Sequence, residues 1–269
     1  MDSLPSFFPF PSDPSNPHAA RHESTAEPYL TQAQAGGESH ATSQFQAATQ
    51  IQAAAQGTEL SQREVLLRHL AVSRYGDFEL TEAVRPAMNL QVCPRQGYRH
   101  DIYVDPQSQS RIPVIMAAVS SERLFSVFVE LVQRLGPSVD VVLESSHDHE
   151  EAGHIDYYRE QIDMPVLLSA LWDFEDLLLN DGCTGVAALN PATPQEIQLD
   201  EHKLLIIYGS PLEVFEHILE KHGVMCDEGL HFITEAEHIH STSDQFVQRF
   251  HQFRTELGLD SSCESLGSA

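Results

Sequence analysis

The sequence predicts an α+β domain in which helices pack on a mixed β-sheet. Apolar runs of strand length alternate with amphipathic helical segments along the chain, and the order of these segments repeats once. Residues 1–57 differ in composition, because they are rich in Pro and Ser and then in Gln and Ala, and they bury too little apolar surface to offset the entropy of ordering. We therefore expect a disordered tail at 1–57, a single α+β domain at 58–259 and a frayed C-terminus at 260–269.

The first elements of the domain follow from local signals. Ser61 and Glu64 have the spacing of a capping box, with Ser at the N-cap and Glu three residues later. This pattern predicts a helix from about 62 to 75. The next segment is ambiguous, because it is compatible with a short helix at 80–84 and a short strand at 90–93.

The middle of the chain has a clearer pattern. Two apolar runs flank the turn-forming segment DPQSQS and predict a β-hairpin of residues 98–104 and 112–119. Beyond it, wide helical stripes that end near glycine alternate with short apolar runs typical of strands. In chain order these segments are a helix at 121–135, a strand at 139–143, a helix at 166–179, strands at 184–189 and 203–208, a helix at 212–222, a strand at 230–234 and a helix at 243–257.

The order strand, strand, helix, strand, helix occurs twice, at about 98–180 and 183–257. In both copies the fourth element leads into Glu-x-x-His-x-His, which begins at Glu144 in the first copy and at Glu235 in the second. A duplicated unit would form one sheet or two abutting sheets around an approximate two-fold axis. The alternative is coincidence, because a chain with 15 His contains about one His-x-His pair by chance.

The two His-x-His pairs are candidates for a metal site. Two neighbouring imidazoles can bind one divalent ion, and nearby carboxylates can complete its shell or act in acid–base chemistry. Under this interpretation the protein is a metal-dependent hydrolase. The alternative is a solvated loop rich in His and acidic residues. The candidate residues are His147, His149, His238, His240, Glu144 and Glu235.

Other segments offer weaker candidates. His202 follows Asp200 and Glu201 and could be a general base, although a charged entrance to a strand explains the same residues. Gly182 could let the backbone approach a ligand, or it could simply end a helix. Cys183 is predicted to be structural, because no neighbouring cation lowers the pKa of its thiol. The sequence contains no nucleophile elbow, P-loop, dinucleotide-binding or EF-hand motif.

Charge and cysteine content limit the partners and the compartment. Forty acidic and 15 basic residues give a net charge of −25, which argues against nucleic-acid and anionic-membrane surfaces. No Lys or Arg precedes Arg21, so the basic region of a signal peptide is missing. The cysteines are far apart, as expected for reduced thiols in the cytoplasm. They are Cys93, Cys183, Cys226 and Cys263.

These observations favour a cytoplasmic, non-enzymatic module that binds a protein partner or a small ligand, and they are compatible with a homodimer. We expect neither nucleic acid nor membrane as a partner. The metal-dependent hydrolase is the alternative function, and a divalent metal is expected only in that case. The sequence does not decide whether the protein is an enzyme.

Overall fold

The computed structural model describes residues 61–105, 108–147, 154–190 and 192–259. The predicted tail at 1–57 and the predicted frayed end at 260–269 lie outside these ranges. The chain divides into two compact units, whose described parts are residues 61–71 and 72–259. None of the helices within the described ranges has the length and apolar composition of a membrane span.

The described part of the smaller unit is helix α1 (Gln62–Leu70). Glu64 N donates a hydrogen bond to Ser61 Oγ over 3.3 Å, and Ser61 N donates to Glu64 Oε2 over 2.8 Å. Both halves of the predicted capping box are therefore present. The helix ends earlier than predicted, at Leu70 rather than near residue 75.

The larger unit is built on a seven-stranded sheet. Its strands are β4 (Gly97–Val104), β5 (Arg111–Ala118), β6 (Ser138–Ser145), β7 (Ile155–Asp163), β8 (Thr184–Asn190), β9 (Gln195–Leu199) and β10 (Leu204–Tyr208). Their spatial order is β4-β5-β10-β9-β8-β6-β7, and each neighbouring pair is antiparallel. The α+β class is confirmed, but the sheet is antiparallel rather than mixed.

Two smaller sheets accompany the large one. The strands β1 (Arg74–Tyr75) and β2 (Phe78–Glu79) form a short hairpin. The strand β3 (Val84–Pro86) pairs antiparallel with β11 (His238–His240), which comes from the far end of the chain. The predicted helix at 80–84 and the predicted strand at 90–93 do not form.

Five helices of the larger unit supply apolar side chains to one continuous core with the sheet. They are α2 (Ser121–Val132), α3 (Met164–Asp173), α4 (Glu175–Asn180), α5 (Glu213–Lys221) and α6 (Asp244–Glu256). The helix predicted at 166–179 is thus two helices, which Phe174 separates. The hairpin of β4 and β5 agrees with the sequence-based expectation, and Gly97 pairs with Ala118 at its open end.

The predicted duplication is not confirmed. In the first half the fourth element is β6, which lies inside the large sheet between β8 and β7. In the second half, residues 230–234 form no strand; a 3-10 turn at Ile233–Glu235 precedes β11, which belongs to a different sheet. The strands β7 and β9 are additional elements that the repeated pattern does not contain.

The two faces of the sheet differ in chemistry. Successive side chains of a strand point to opposite faces, so Ile197 and Leu199 of β9 enter the helix-covered core while Glu196 and Gln198 point to the other face. Glu196 and Gln198 are each only 1% exposed. The second face is therefore apolar near β4 and β5 and carries buried polar groups near β9.

Core packing gives a first testable prediction. Phe128 is fully buried in α2, so Phe128→Ala should lower the free energy of unfolding by about 3–5 kcal/mol. The apolar stripe of the helix predicted at 166–179 includes Trp172 and predicts its burial, but Trp172 is 54% exposed, and its ring centroid lies 4.8 Å from that of Phe125 in an edge-to-face contact. Trp172→Ala should therefore cost only about 1 kcal/mol. Urea unfolding of both variants measures the difference, and equal losses would contradict this assignment of the helix faces.

The helical stripes also predict that Leu131, Phe215, Ile218 and Phe250 are buried, and each is no more than 3% exposed.

Candidate functional site

The second His-x-His pair lies within a strand. His238 and His240 are the two ends of β11, opposite Pro86 and Val84 of β3. Residues two apart in a strand point to the same face, so β11 presents both imidazoles together. The sequence places this pair just beyond the strand predicted at 230–234, whereas the structure places it within β11.

A third imidazole joins this pair from the turn between β9 and β10. The ring centroid of His202 lies 4.9 Å from that of His238 and 4.8 Å from that of His240, and the last two are 5.0 Å apart. One nitrogen from each ring can be chosen so that all three lie within 4.8 Å of one another. We call His202, His238 and His240 the three-histidine cluster.

The turn that carries His202 is held by Lys203. Lys203 has φ of 65°, a left-handed conformation that is uncommon for a residue with a side chain. Its Nζ donates to the carbonyl oxygen of Thr184 over 2.8 Å, and burial lowers the pKa of this amine to about 8. Leu204 N also donates to Asp200 Oδ1 over 2.8 Å. These contacts fix the turn and with it the position of His202.

Each histidine of the cluster has its Nδ1 against an oxygen atom. His202 Nδ1 is 3.0 Å from Asp200 Oδ2, His238 Nδ1 is 2.8 Å from the carbonyl oxygen of Ala236, and His240 Nδ1 is 2.5 Å from that of Gly182. Carbonyl and carboxylate oxygens only accept, so each Nδ1 must carry the proton. In the neutral ring the lone pair is then on Nε2. Metal-binding histidines are oriented by this kind of hydrogen bond.

Burial favours the neutral form of two of these rings. It lowers the pKa of His240 to about 4, with a further contribution from the charge of His202, and it also lowers the pKa of His238. Burial alone would lower the pKa of His202 as well, but the carboxylates of Asp200 and Glu201 raise it. Neutral imidazole is the form that binds metal ions.

An ionised carboxylate borders the cluster. Glu201 accepts a hydrogen bond from Ser146 Oγ over 2.7 Å, and its Oε1 lies 3.4 Å from His154 Nε2. Burial alone would raise the pKa of Glu201, but His154, His202 and His240 together hold it well below its usual range. Glu201 is therefore a charged group beside the three imidazoles, able to accept hydrogen bonds or to contact a cation.

Gly182 supports the cluster through close backbone packing. Its carbonyl oxygen accepts from His240 Nδ1, its N donates to the Ser241 carbonyl over 2.8 Å, and Ser241 N donates to Ala83 O over 2.8 Å. A Cβ at this position would lie 2.5 Å from Ala83 O and 2.9 Å from Ser241 N. Because Gly182 has no side chain, the backbone segments that contain Ala83, Gly182 and Ser241 can pack in direct contact.

The metal ligands predicted from sequence lie in separate places in the structure. His238 and His240 stand with His202, whereas His147 stands in a separate group with Asp181 and Cys183. His149 lies outside the described residues. No metal-binding group found in the described residues combines the His-x-His segments of 144–149 and 235–240.

The two predicted glutamates occupy different surroundings. Glu144 is buried in β6, where it accepts from Gln198 Nε2 over 3.0 Å. Burial, and next the neighbouring Asp156, raise its pKa well above the usual range. Glu235 lies in the 3-10 turn, paired with Arg99 at 2.6 Å and with His231 at 2.6 Å. Neither glutamate belongs to a candidate metal-binding group among the described residues.

Sequence reasoning did not include His202 among the metal ligands. The sequence nevertheless contains an indication of this role, because Asp200, two positions before His202, can orient its imidazole. The same acidic residues were also explained as a charged strand entrance. Only the tertiary structure brings the turn before β10 to the side chains of β11.

The buried Glu196 predicts a pH effect on stability. Burial raises its pKa to about 8 in the folded state, above the usual value of about 4.5. Between these values the folded state binds the extra proton, so this group's stabilisation is complete below pH 4.5 and is lost as the pH rises through 8. Glu196→Gln does not titrate and should gain stability relative to wild type from pH 5 to pH 9.

Urea unfolding at several pH values measures this difference. Glu213→Gln is the matched control, because Glu213 is exposed on α5 and should not alter the pH dependence. Parallel stability curves for Glu196→Gln and wild type would contradict the prediction.

No family model, curated protein or solved structure matches this chain.

Proposed function

We propose that this protein is a metal-dependent hydrolase that binds a divalent ion of the zinc class through Nε2 of His202, His238 and His240. One observation carries the proposal: three imidazoles from two chain segments converge, and the Nδ1 of each is bonded to an oxygen. Three separate hydrogen bonds thus fix three neighbouring rings and leave the lone pair of each neutral ring on Nε2. A solvated surface loop needs no such orientation.

The spacing is compatible with metal binding after a small adjustment. Ligand nitrogens about 2.0–2.1 Å from a tetrahedral zinc ion lie about 3.3–3.4 Å from one another. One nitrogen from each ring already lies within 4.8 Å of the others, so modest side-chain shifts would bring three nitrogens to the spacing that an ion requires. Imidazole ligands suit zinc, copper, iron and nickel, whereas magnesium and calcium prefer oxygen.

Three protein ligands would leave one coordination position of the ion open. An ion held in this way would supply water activation and Lewis-acid chemistry for hydrolysis. Glu201 is ionised and borders His202, so it would orient a water molecule by accepting a hydrogen bond and would stabilise the positive charge of the ion. The substrate class is an ester, amide or phosphoester of a small molecule.

A second candidate is the non-enzymatic binding module. The observation that favours it is also Glu201, which interacts electrostatically with both His202 and His240 and is held by Ser146 and His154. If this carboxylate occupies the fourth position, the ion has a closed shell and no site for water. The protein would then bind metal without catalysis.

Metal analysis of protein purified without a His tag tests the metal site. We expect bound zinc-class metal in the wild type, loss of the three-histidine ion in His240→Ala, and full retention in the control His217→Ala. His217 is exposed on α5. Wild-type protein that stays free of metal after incubation with zinc, manganese, iron, nickel and copper would overturn the proposal.

A panel of nitrophenyl esters and phosphoesters separates the two candidates. The hydrolase requires metal-dependent turnover that falls at least 100-fold in Glu201→Gln while zinc remains bound. Stoichiometric zinc without turnover on any class of substrate in the panel would favour the closed binding module.

The remaining features of the proposal concern compartment and partners. We place the protein in the reducing cytoplasm, because the three cysteines within the described ranges are free thiols. They are Cys93, Cys183 and Cys226. The expected partner is a small substrate rather than nucleic acid or a membrane, in keeping with the net charge of −25. A homodimer stays a prediction.

A further inference from the structure

A second group of metal-binding side chains lies where β6 ends and β8 begins. These strands pair antiparallel, with Ser145 opposite Thr184, so the residue that follows β6 meets those that precede β8. Ser146 N donates to the carbonyl oxygen of Cys183 over 2.9 Å and extends this pairing by one step. The strand register itself therefore brings His147 to Asp181 and Cys183.

The three side chains form a compact and buried group. One ligand atom from each of His147, Asp181 and Cys183 can be chosen so that all lie within 4.8 Å of one another. His147 Nε2 is 2.8 Å from Asp181 Oδ2, and the His147 and Asp181 side chains are 5% and 0% exposed. Cys183 is 3% exposed. His147 Nδ1 lies 2.9 Å from Ser145 Oγ, which orients the ring.

One carboxylate oxygen of this group has no aligned hydrogen bond. His147 Nε2 and Asp181 Oδ2 pair with each other at 2.8 Å, whereas Asp181 Oδ1 is buried without an aligned partner. Burial alone would raise the pKa of Asp181, but His147, Thr184 and Thr242 hold it below its usual value, so the carboxylate is charged. A buried charged acceptor without an aligned partner costs free energy. An ion bound to Asp181 Oδ1 would remove that cost.

We propose that His147 Nε2, the Asp181 carboxylate and the Cys183 thiolate bind a second zinc-class ion, distinct from the ion of the three-histidine cluster. Nitrogen, oxygen and sulfur are the three ligand types that zinc takes in proteins. The carboxylate and the thiolate together carry two negative charges, which balance a divalent cation in this buried place. The three-histidine cluster provides no such balance from its own ligands.

Metal binding at this group moves two protons. Burial raises the pKa of the Cys183 thiol, so the sulfur is protonated at neutral pH when no ion is bound. Binding forms the metal–sulfur bond and releases the thiol proton to solvent, without any change of oxidation state. His147 Nε2 faces the Asp181 carboxylate and therefore carries a proton without the ion; on binding, this proton moves to Nδ1, which can donate to Ser145 Oγ. Cys183 is thus assigned a ligand role in place of the purely structural one predicted from sequence.

Cobalt substitution distinguishes the two sites, because only a thiolate ligand gives a sulfur-to-cobalt charge-transfer band in the near ultraviolet. We expect cobalt-loaded wild type to hold two equivalents and to show this band. Cys183→Ser should hold one equivalent without the band. His240→Ala should hold one equivalent and keep the band. Cys93→Ser, which alters an exposed thiol that belongs to no candidate metal-binding group among the described residues, should behave as wild type.

The outcomes separate this proposal from the proposed function. Wild type with one equivalent and no thiolate band, or Cys183→Ser with undiminished metal content, overturns the second site and leaves the three-histidine site standing. One equivalent with the band in both wild type and His240→Ala supports the second site and overturns the first. Alkylation of native wild type provides a check that needs no variant, since zinc should slow modification of Cys183 at least tenfold. Equal rates with and without zinc would also overturn the second site.

Discussion

Free zinc at about 1,000 times the dissociation constant of the three-histidine cluster should raise the free energy of unfolding by about 4 kcal/mol. An ion that binds only the folded state stabilises it by mass action, and the unfolded chain does not hold His202 near His238 and His240. Urea unfolding at buffered zinc concentrations measures the gain. A Cys183→Ser background removes the contribution of the buried second site.

The matched variants of this background are His240→Ala and His217→Ala. A 100-fold loss of zinc affinity in His240→Ala lowers the gain by about 2.7 kcal/mol, whereas His217→Ala should keep the full gain. An equal zinc effect in both variants would show that the ion binds elsewhere.

Gly182→Ala should destabilise the protein by about 3 kcal/mol, a large loss for the addition of one methyl group. The new Cβ would lie 2.5 Å from Ala83 O and 2.9 Å from Ser241 N, and both are backbone atoms that no side-chain rotation can move. Separation of these segments also shifts the carbonyl that orients His240. Zinc affinity should therefore fall together with stability.

Gly229→Ala is the control for this substitution. The nearest heavy atom to a Cβ at Gly229 is Asp227 Oδ1 at 3.4 Å, an ordinary contact, so its cost should stay below about 1 kcal/mol. Thermal or urea unfolding compares the two variants. A Gly182→Ala protein as stable as Gly229→Ala would show that the contact between Gly182 and its neighbours is looser than described.

Local sequence signals predicted the elements that depend on local physics. The capping box of Ser61 and Glu64 and the hairpin of β4 and β5 each depend on residues close together in the chain. The apolar residues of α2, including Phe128, recur with the helical period, and this period correctly predicts that Phe128 is buried. The prediction for Trp172 was wrong, because the buried stripe of α3 is formed by Met164, Leu167, Ala170 and Leu171 and leaves Trp172 outside it.

The strands that sequence analysis missed have polar residues for physical reasons. The strand β7 is at the edge of the sheet, where charged residues such as Arg159 and Glu160 protect an open edge from pairing with other chains. The strand β9 lies inside the sheet but directs Glu196 and Gln198 to a buried polar face. Alternation with polar residues on the buried side resembles a surface turn when only the sequence is considered.

The candidate site could be predicted only in part for a similar reason. The sequence shows His238 and His240 together, because two residues of spacing suffice to put both on one face of a strand. It does not show that β11 pairs with β3, or that the turn containing His202 lies against β11. Those contacts join distant segments, and no local pattern records them.

The pairing of β11 with β3 has a consequence for how the molecule opens. This small sheet is only three residues long on each strand, and its described link to the start of β8 is the hydrogen-bonded contact of Gly182 with Ser241 and His240. Such a sheet is expected to detach before the seven-stranded sheet unfolds. An ion shared by His202, His238 and His240 would tie it to the turn before β10. The amide protons of Gly182 and Ser241 would then exchange with solvent at a rate that reports metal occupancy.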